Sequence, residues 1–228
     1  MVKVVIGYLL NYGYVFFILG VAAVLSRRME MEQESCRKLI HIFMVFVWCI
    51  LQKTLGGSIH MVVIPGTFVL LNLFSYLTVR YETSWKLPVF SAMERPAREE
   101  TPGTVYYAAA ITLMGVLSLL YPGLTAACGI GLFCMAFGDG LAGIIGGRTR
   151  GFFAKQWVRG KSLGGSLACV AGCIVGSLFL SFLMGYHLPL ASLLLIGICC
   201  AILELPGKGL DNLTVPFGSM LLAQLLLG

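Results

Sequence analysis

Asp139 is the acid in this chain that would be hardest to bury without a purpose. It stands in Phe137-Gly138-Asp139-Gly140-Leu141-Ala142-Gly143-Ile144-Ile145-Gly146-Gly147, a run otherwise without charge. An acid in such a setting must face a bundle interior or a wet cavity, and it marks a functional candidate by default. The surrounding glycines strip the helix of side chains, so that a neighbouring backbone or a ligand can come close. The competing structural reading is that the glycines only pack helices and Asp139 pairs with a loop arginine. The nearest basic residue along the chain is Arg148, nine positions on. That loop continues through Arg150, Lys155 and Arg159 to Gly160-Lys161-Ser162-Leu163-Gly164-Gly165-Ser166. Cations, hydroxyls and exposed amides at a helix start make a cradle for a polyphosphate. A basic loop that merely touches anionic lipid would not need the glycines and serines after the lysine. A metal-binding acid and phosphate-binding cations on one surface suit phosphoryl transfer.

The other ionisable candidates, His41, Glu99, Glu100, Glu204 and Asp211, fall near the ends of apolar runs. Two nucleotide fingerprints are mimicked and both fail. Gly138-x-Gly140-x-x-Gly143 has no preceding strand, and Gly160-Lys161-Ser162 lacks the glycine a P-loop needs at the position of Lys155.

The elements that must position these residues are membrane helices. Of 228 residues, 58% are hydrophobic and 11% charged, and the mean hydropathy is +0.91. These figures exclude an ordinary soluble domain, a disordered chain and a secreted disulfide scaffold. Apolar runs predict spans at 4–25, 39–55, 59–79, 104–120, 124–146, 166–185, 188–204 and 214–227. The expected fold is all-α, a polytopic membrane protein of seven or eight transmembrane helices in a single domain, 1–228. Alternate loops hold 14 basic residues against 2, which predicts both termini outside and an active site on the cytoplasmic face. The first span is too long an apolar run for a signal peptide.

Seven of the eight cysteines lie in predicted spans, with Cys36 in a loop, and no Cys-x-x-Cys or Cys-His spacing suggests zinc. They are expected to be packing residues. Gly165, Cys169, Gly172 and Gly176 recur on one helical face and predict close helix contact. Asn72, Ser75 and Tyr76 place polar groups near the end of the third span, lining a site or bonding between helices. Segment 81–95 has the mixed pattern of an interfacial amphipathic stretch.

The motifs taken together resemble the polyprenol kinase family, which includes dolichol kinase, phytol kinase and CTP-dependent diacylglycerol kinase and is distantly similar to phosphatidate cytidylyltransferase. The resemblance rests on Phe137-Gly138-Asp139-Gly140 with Gly146-Gly147-Arg148, and on Gly160-Lys161-Ser162-Leu163-Gly164-Gly165-Ser166. It extends to Arg37-Lys38-Leu39-Ile40-His41, to Arg98-Glu99-Glu100 with Gly103-Thr104-Val105-Tyr106-Tyr107, and to Glu204 with Asp211-Asn212-Leu213-Thr214-Val215-Pro216. It implies transfer of the terminal phosphate of a nucleoside triphosphate, usually CTP, to a lipid alcohol, with a divalent cation such as Mg2+. The acceptor class covers diacylglycerol, polyprenol and phytol.

On that basis Asp139 is assigned to Mg2+. Lys161 and Arg148 are assigned to phosphate oxygens, with Ser162 and the amides of Gly164 and Gly165 alongside. Arg37 and Lys38 would approach from the earlier loop, with His41 one helical turn from each. Glu204, Asp211 and Glu99 compete for the role of general base, and Asp211-Asn212 also reads as a helix cap. Partners are a lipid alcohol and a nucleotide, with no nucleic acid; an oligomer is left open. The runner-up activity is a phosphatidate cytidylyltransferase using the same cradle. A small transporter would need midplane charges and paired broken helices, a pattern this sequence does not present.

Overall fold

The computed structural model describes residues 2–28, 33–81, 102–158, 161–205 and 210–228. Long apolar runs fold as α1 (Val2–Arg28), α4 (His60–Arg80), which contains Pro65, α5 (Gly103–Leu120) and α8 (Leu163–Met184). A second span is split into α2 (Gln33–Met44) and α3 (Val47–Leu55). The central span runs from α6 (Thr125–Phe133) through a π-helical stretch (Cys134–Asp139) into α7 (Gly140–Gly146). A short hairpin of β1 (Gln156–Val158) and β2 (Lys161–Ser162) leads into α8. The chain closes with α9 (Leu190–Leu203) and α10 (Asp211–Leu227). Six of these segments are long and apolar enough to cross a bilayer, and α9 is a shorter apolar helix. The protein is an all-α integral membrane protein, as composition predicts.

The packing is concentric. The central span Pro122–Gly146 is 78% buried, against 22% for the first, so α6, the π stretch and α7 form the axis while α1 lies at the edge. Phe133 and Phe137 stack at 6.0 Å on that axis, and Phe46 meets both edge-on. Such aromatic pairs fix side-chain position beyond what area burial alone does.

The predicted stripe on α8 does pack closely. A Cβ at Gly176 would come within 3.0 Å of the Phe133 carbonyl oxygen, and one at Gly146 within 3.2 Å of Gly165 Cα. The glycines around Asp139 therefore bring α2 and α8 against α7 and the π stretch, as the structural reading of them expected.

One boundary departs from expectation. The second span begins at Gln33 rather than 39, because Glu34, Arg37 and Lys38 continue an amphipathic pattern that an apolar-run criterion passes over. Arg37 and Lys38 are therefore buried helix residues and do not approach from a loop. Cys36 is likewise buried in α2, its thiol 3.5 Å from the Ala22 carbonyl, and not in a loop. Segment 81–95 falls beyond residue 81 outside the described residues, as do Arg98, Glu99, Glu100, Arg159 and Gly160.

Candidate active site

The site begins with the register of α2. Residues three and four apart share a helix face: Lys38 and His41 both reach Asp139 on the central span, while Arg37 pairs with Glu34 one turn back on α2. Lys38 Nζ donates to both carboxylate oxygens of Asp139 at 2.7 Å, across 101 residues of sequence. Both groups are buried, at 7% and 6% exposure, so the pair is desolvated and each charge depends on the other. Gly143, one turn beyond Asp139, makes room for this contact: a Cβ there would meet Lys38 Cε at 2.6 Å. Asp139 thus pairs with a lysine from a distant helix rather than with a loop arginine.

His41 Nε2 lies 3.5 Å from Asp139 Oδ2 and has no hydrogen-bond partner among the described residues. Its ring packs on Tyr107 at 4.3 Å, and the Tyr107 hydroxyl donates to the His41 carbonyl at 2.8 Å. Tyr107 stands in the motif Gly103-Thr104-Val105-Tyr106-Tyr107, and its contact with His41, 66 residues away in the chain, follows from no spacing rule. The π-helical stretch ends at Asp139 itself, and such wide turns recur at functional positions because they re-aim a side chain.

A second ion pair sits beside the first. The hairpin presents Lys161 to Glu204, which caps α9 and is buried at 4% exposure. A carboxylate at a helix C-terminus meets the negative end of the helix dipole, and Lys161 offsets that. Burial pushes the Glu204 carboxyl up, and Lys161 offsets only part of the rise. Burial works against the charge on Lys161, but Glu204, Asp139 and Asp211 outweigh it and raise the amine. Asp211 is raised by burial and by Asp139, with Lys38 and Lys161 acting against. Lys38, Asp139, Lys161, Glu204 and Asp211 therefore form one electrostatic group drawn from α2, the central span, the hairpin, α9 and α10.

The remaining predicted residues are less central. Arg148 is exposed and donates to Ser35 Oγ at 3.3 Å, on the rim beside α2. Ser162 caps α8: its Oγ accepts from the Gly165 amide at 3.1 Å and donates to the Gly146 carbonyl at 3.4 Å. The Gly165 amide is thus satisfied within the chain. Gly164 is buried, and its bare Cα leaves space that Thr149 fills. Asn212 Nδ2 donates to the Gly103 carbonyl at 3.0 Å, while its buried Oδ1 has no partner among the described residues. Asp211 is the first residue of α10 and its Oδ1 accepts from the adjacent Asn212 amide at 3.0 Å; the helix has no side-chain cap, so the pair is not the helix cap expected.

Oxygen donors suit Mg2+, which commonly takes one or two carboxylates and completes its shell with phosphates and water. Asp139, Glu204 and Asp211 supply such donors, and they do not converge into an all-protein cage: among the described residues, Cys134, Cys173 and Cys200 are the one trio of candidate ligands within 4.8 Å of one another. That thiol trio, unpredictable from spacing, joins the central span, α8 and α9 in the core, with Cys200 2.9 Å from Ser219 Oγ.

Against this ionic group lies an apolar pocket, part of it open to the outside. His41, Arg37, Asn72, Thr104 and Asn212 line its polar end, and Leu19, Met44, Val47, Ile64, Phe68 and Ile111 line its body.

An apolar cavity ending at buried cations and acids fits an enzyme that joins a lipid to a charged group, and sequence relatives bear on which. The chain is 32% identical over 219 residues to phytol kinase of Synechocystis, covering 92% of this chain and 87% of the relative. It is 28% identical to probable phytol kinase 3, chloroplastic, of Glycine max, covering 89% and 66% respectively. It is 28% identical to probable phytol kinase 1, chloroplastic, of Oryza sativa, covering 90% and 68%. No family model matches the chain, and no solved structure does. With an identity of 32% sustained over nearly its whole length, the chain belongs to the phytol kinase family.

Proposed function

We propose that this protein is a lipid alcohol kinase that transfers the terminal phosphate of CTP to the hydroxyl of phytol or a similar isoprenoid alcohol, with Mg2+, on the basic and cytoplasmic face. Family membership supports the lipid alcohol kinase. The observation that carries the site is the buried Lys38–Asp139 pair, with His41 between it and the apolar cavity.

Phosphoryl transfer asks the protein for alignment, charge neutralisation and a place for the hydroxyl proton. Lys161 and Lys38 bring cations to the phosphate oxygens, and Arg148 at the rim meets the incoming nucleotide. Asp139 and Asp211 are the residues that would hold Mg2+, which when bound neutralises phosphate charge. His41, with an unpartnered Nε2, accepts the proton of the attacking hydroxyl, and Asp139 stabilises the resulting imidazolium. Glu204 holds Lys161 in place. Ser162, Gly164 and Gly165 shape the start of α8 on which the cradle rests.

The test is an incubation of the purified protein with Mg2+, γ-labelled CTP and micelles holding phytol, a polyprenol, diacylglycerol or phosphatidate. Label in the lipid phase with phytol, and CDP left in water, is the expected result. Label in pyrophosphate, with cytidine entering lipid only when phosphatidate is present, would replace the kinase by a cytidylyltransferase.

A further inference from the structure

The cavity has a shape that limits what can occupy it. On α4 its lining runs from Asn72 back to Ile64, and on α5 from Gly103 to Ile111, so at 1.5 Å per helical residue it is about 12 Å deep. Its body is aliphatic and aromatic and would stay dry, whereas its polar end holds two groups that leave hydrogen-bonding capacity unused. These are His41 Nε2 and Asn212 Oδ1, both buried and without partners among the described residues. Unsatisfied buried polar atoms are costly, and here both belong to residues lining the same end of one cavity, beside Asp139. A hydroxyl placed there has one proton to donate, to Asn212 Oδ1 on arrival or to His41 Nε2 in the reacting geometry, so it partners one of the two acceptors at a time.

The cavity also has a flank. Tyr8–His60 and Tyr12–Thr67 hydrogen bonds, each 3.0 Å, hold α1 to α4 in the half away from the ionic group. Nearer that group the wall between the two helices is made of the apolar side chains of Val15, Leu19 and Phe68, while Pro65 lines the far half, between the two tied residues of α4.

We propose that this cavity is the binding slot for the single hydrocarbon chain of the acceptor alcohol, entered from the bilayer through the α1–α4 seam, with the hydroxyl held between His41 and Asn212. The inference rests on the lipid alcohol kinase reading and adds a location and a selectivity to it. One slot between six helices takes one chain. Diacylglycerol would have to leave its second chain outside, so single-chain alcohols are the preferred acceptors.

The experiment uses the full chain in mixed micelles and reads binding apart from turnover. A phytol analogue carrying a diazirine in its chain is photolysed on the protein, and the labelled peptides are identified. The expected label falls on the α4 and α5 residues Ile64, Phe68 and Ile111, is competed by phytol, and is competed poorly by diacylglycerol. Ala108→Phe, which fills the middle of the slot, should cut this labelling about tenfold, and Phe68→Ala in the same background should restore it by reopening space. In turnover, Ala108→Phe should lower kcat/KM for phytol about tenfold while changing that for prenol, whose chain ends above the plug, less than about threefold. Label spread over outward-facing residues such as Phe182 and Leu225, or equal competition by diacylglycerol, would overturn the slot. Failure of the kinase reading shows separately, as the absence of any phosphorylated alcohol despite slot labelling.

Discussion

At the scale of single residues, the Lys38–Asp139 pair concentrates both stability and chemistry. Two buried charges at 2.7 Å cost much to desolvate and recover it only together. Asp139→Asn leaves Lys38 charged and unpaired in the core, so it is expected to lose about 3–5 kcal/mol of stability and at least about a hundredfold in turnover. Those two losses can be separated. The double variant Lys38→Met with Asp139→Asn removes both charges, and should recover most of the thermal stability in detergent while staying inactive. Recovery of activity along with stability would leave Asp139 a structural residue. Glu204 supplies a pH dependence. Its carboxyl sits above its ordinary 4.5 because burial disfavours the charge. As pH falls through that raised value Glu204 takes up a proton and its ion pair with Lys161 is lost, so the acid limb of kcat/KM lies above pH 4.5. Glu204→Gln should remove the limb at a reduced plateau rate. The stability contribution runs the opposite way: the folded carboxyl holds its proton at higher pH than the unfolded one, so this group favours folding most at or below 4.5 and less as pH rises through the folded value.

At the scale of elements, the glycines divide by what faces them. A Cβ at Gly172 would press into the backbone carbonyl of Phe137, which cannot yield, whereas one at Gly143 meets the flexible end of Lys38. Gly172→Ala should therefore cost about 1–3 kcal/mol through overpacking. Gly143→Ala should change stability by less than about 1 kcal/mol, because the flexible Lys38 chain can swing aside slightly and keep its ion pair with Asp139, yet lower turnover by shifting that pair out of alignment. Melting curves and rates on the two variants distinguish them, and equal effects on both quantities would show that the two glycines do the same packing job. This division explains how much was legible in sequence. The helices and Asp139 follow from local hydropathy and an isolated acid; the number of spans does not, since seven or eight were expected and six helices among the described residues are long and apolar enough to cross a bilayer. The stripe Gly165-Cys169-Gly172-Gly176 follows from helical periodicity. Partner identity does not: Lys38 with Asp139, Lys161 with Glu204, and Tyr107 with His41 join elements far apart in the chain, and no spacing rule connects them. The start of α2 was misplaced for a related reason, since its charges look like a loop until their partner is known.

At the scale of the whole molecule, the ionic group lies below the rim on which the basic loops sit. Asp139 is separated from the end of its helix by the seven residues of α7, about 10 Å at 1.5 Å per residue. Glu204 ends α9, whose 14 residues reach only about 21 Å, short of the roughly 30 Å hydrocarbon thickness. A short α9 therefore delivers Glu204 to the same depth as Asp139 instead of to the surface. The arrangement lets a lipid hydroxyl stay at the depth where its chain is comfortable while phosphate descends to it past Arg148, Arg150 and Lys155, all exposed on one rim. That geometry requires the hairpin loop and the start of α1 to lie on opposite sides of the membrane, because α1 traverses once before α2 returns at Lys38. Single cysteines introduced at Lys3 and at Arg150 in a background with Cys199 replaced should react with a membrane-impermeant maleimide from opposite faces of sealed vesicles. Arg150 is expected to be labelled from the side that supplies nucleotide, and prior addition of CTP with Mg2+ should slow that labelling without affecting Lys3. Labelling of both positions from the same face would contradict the span count on which the recessed site depends.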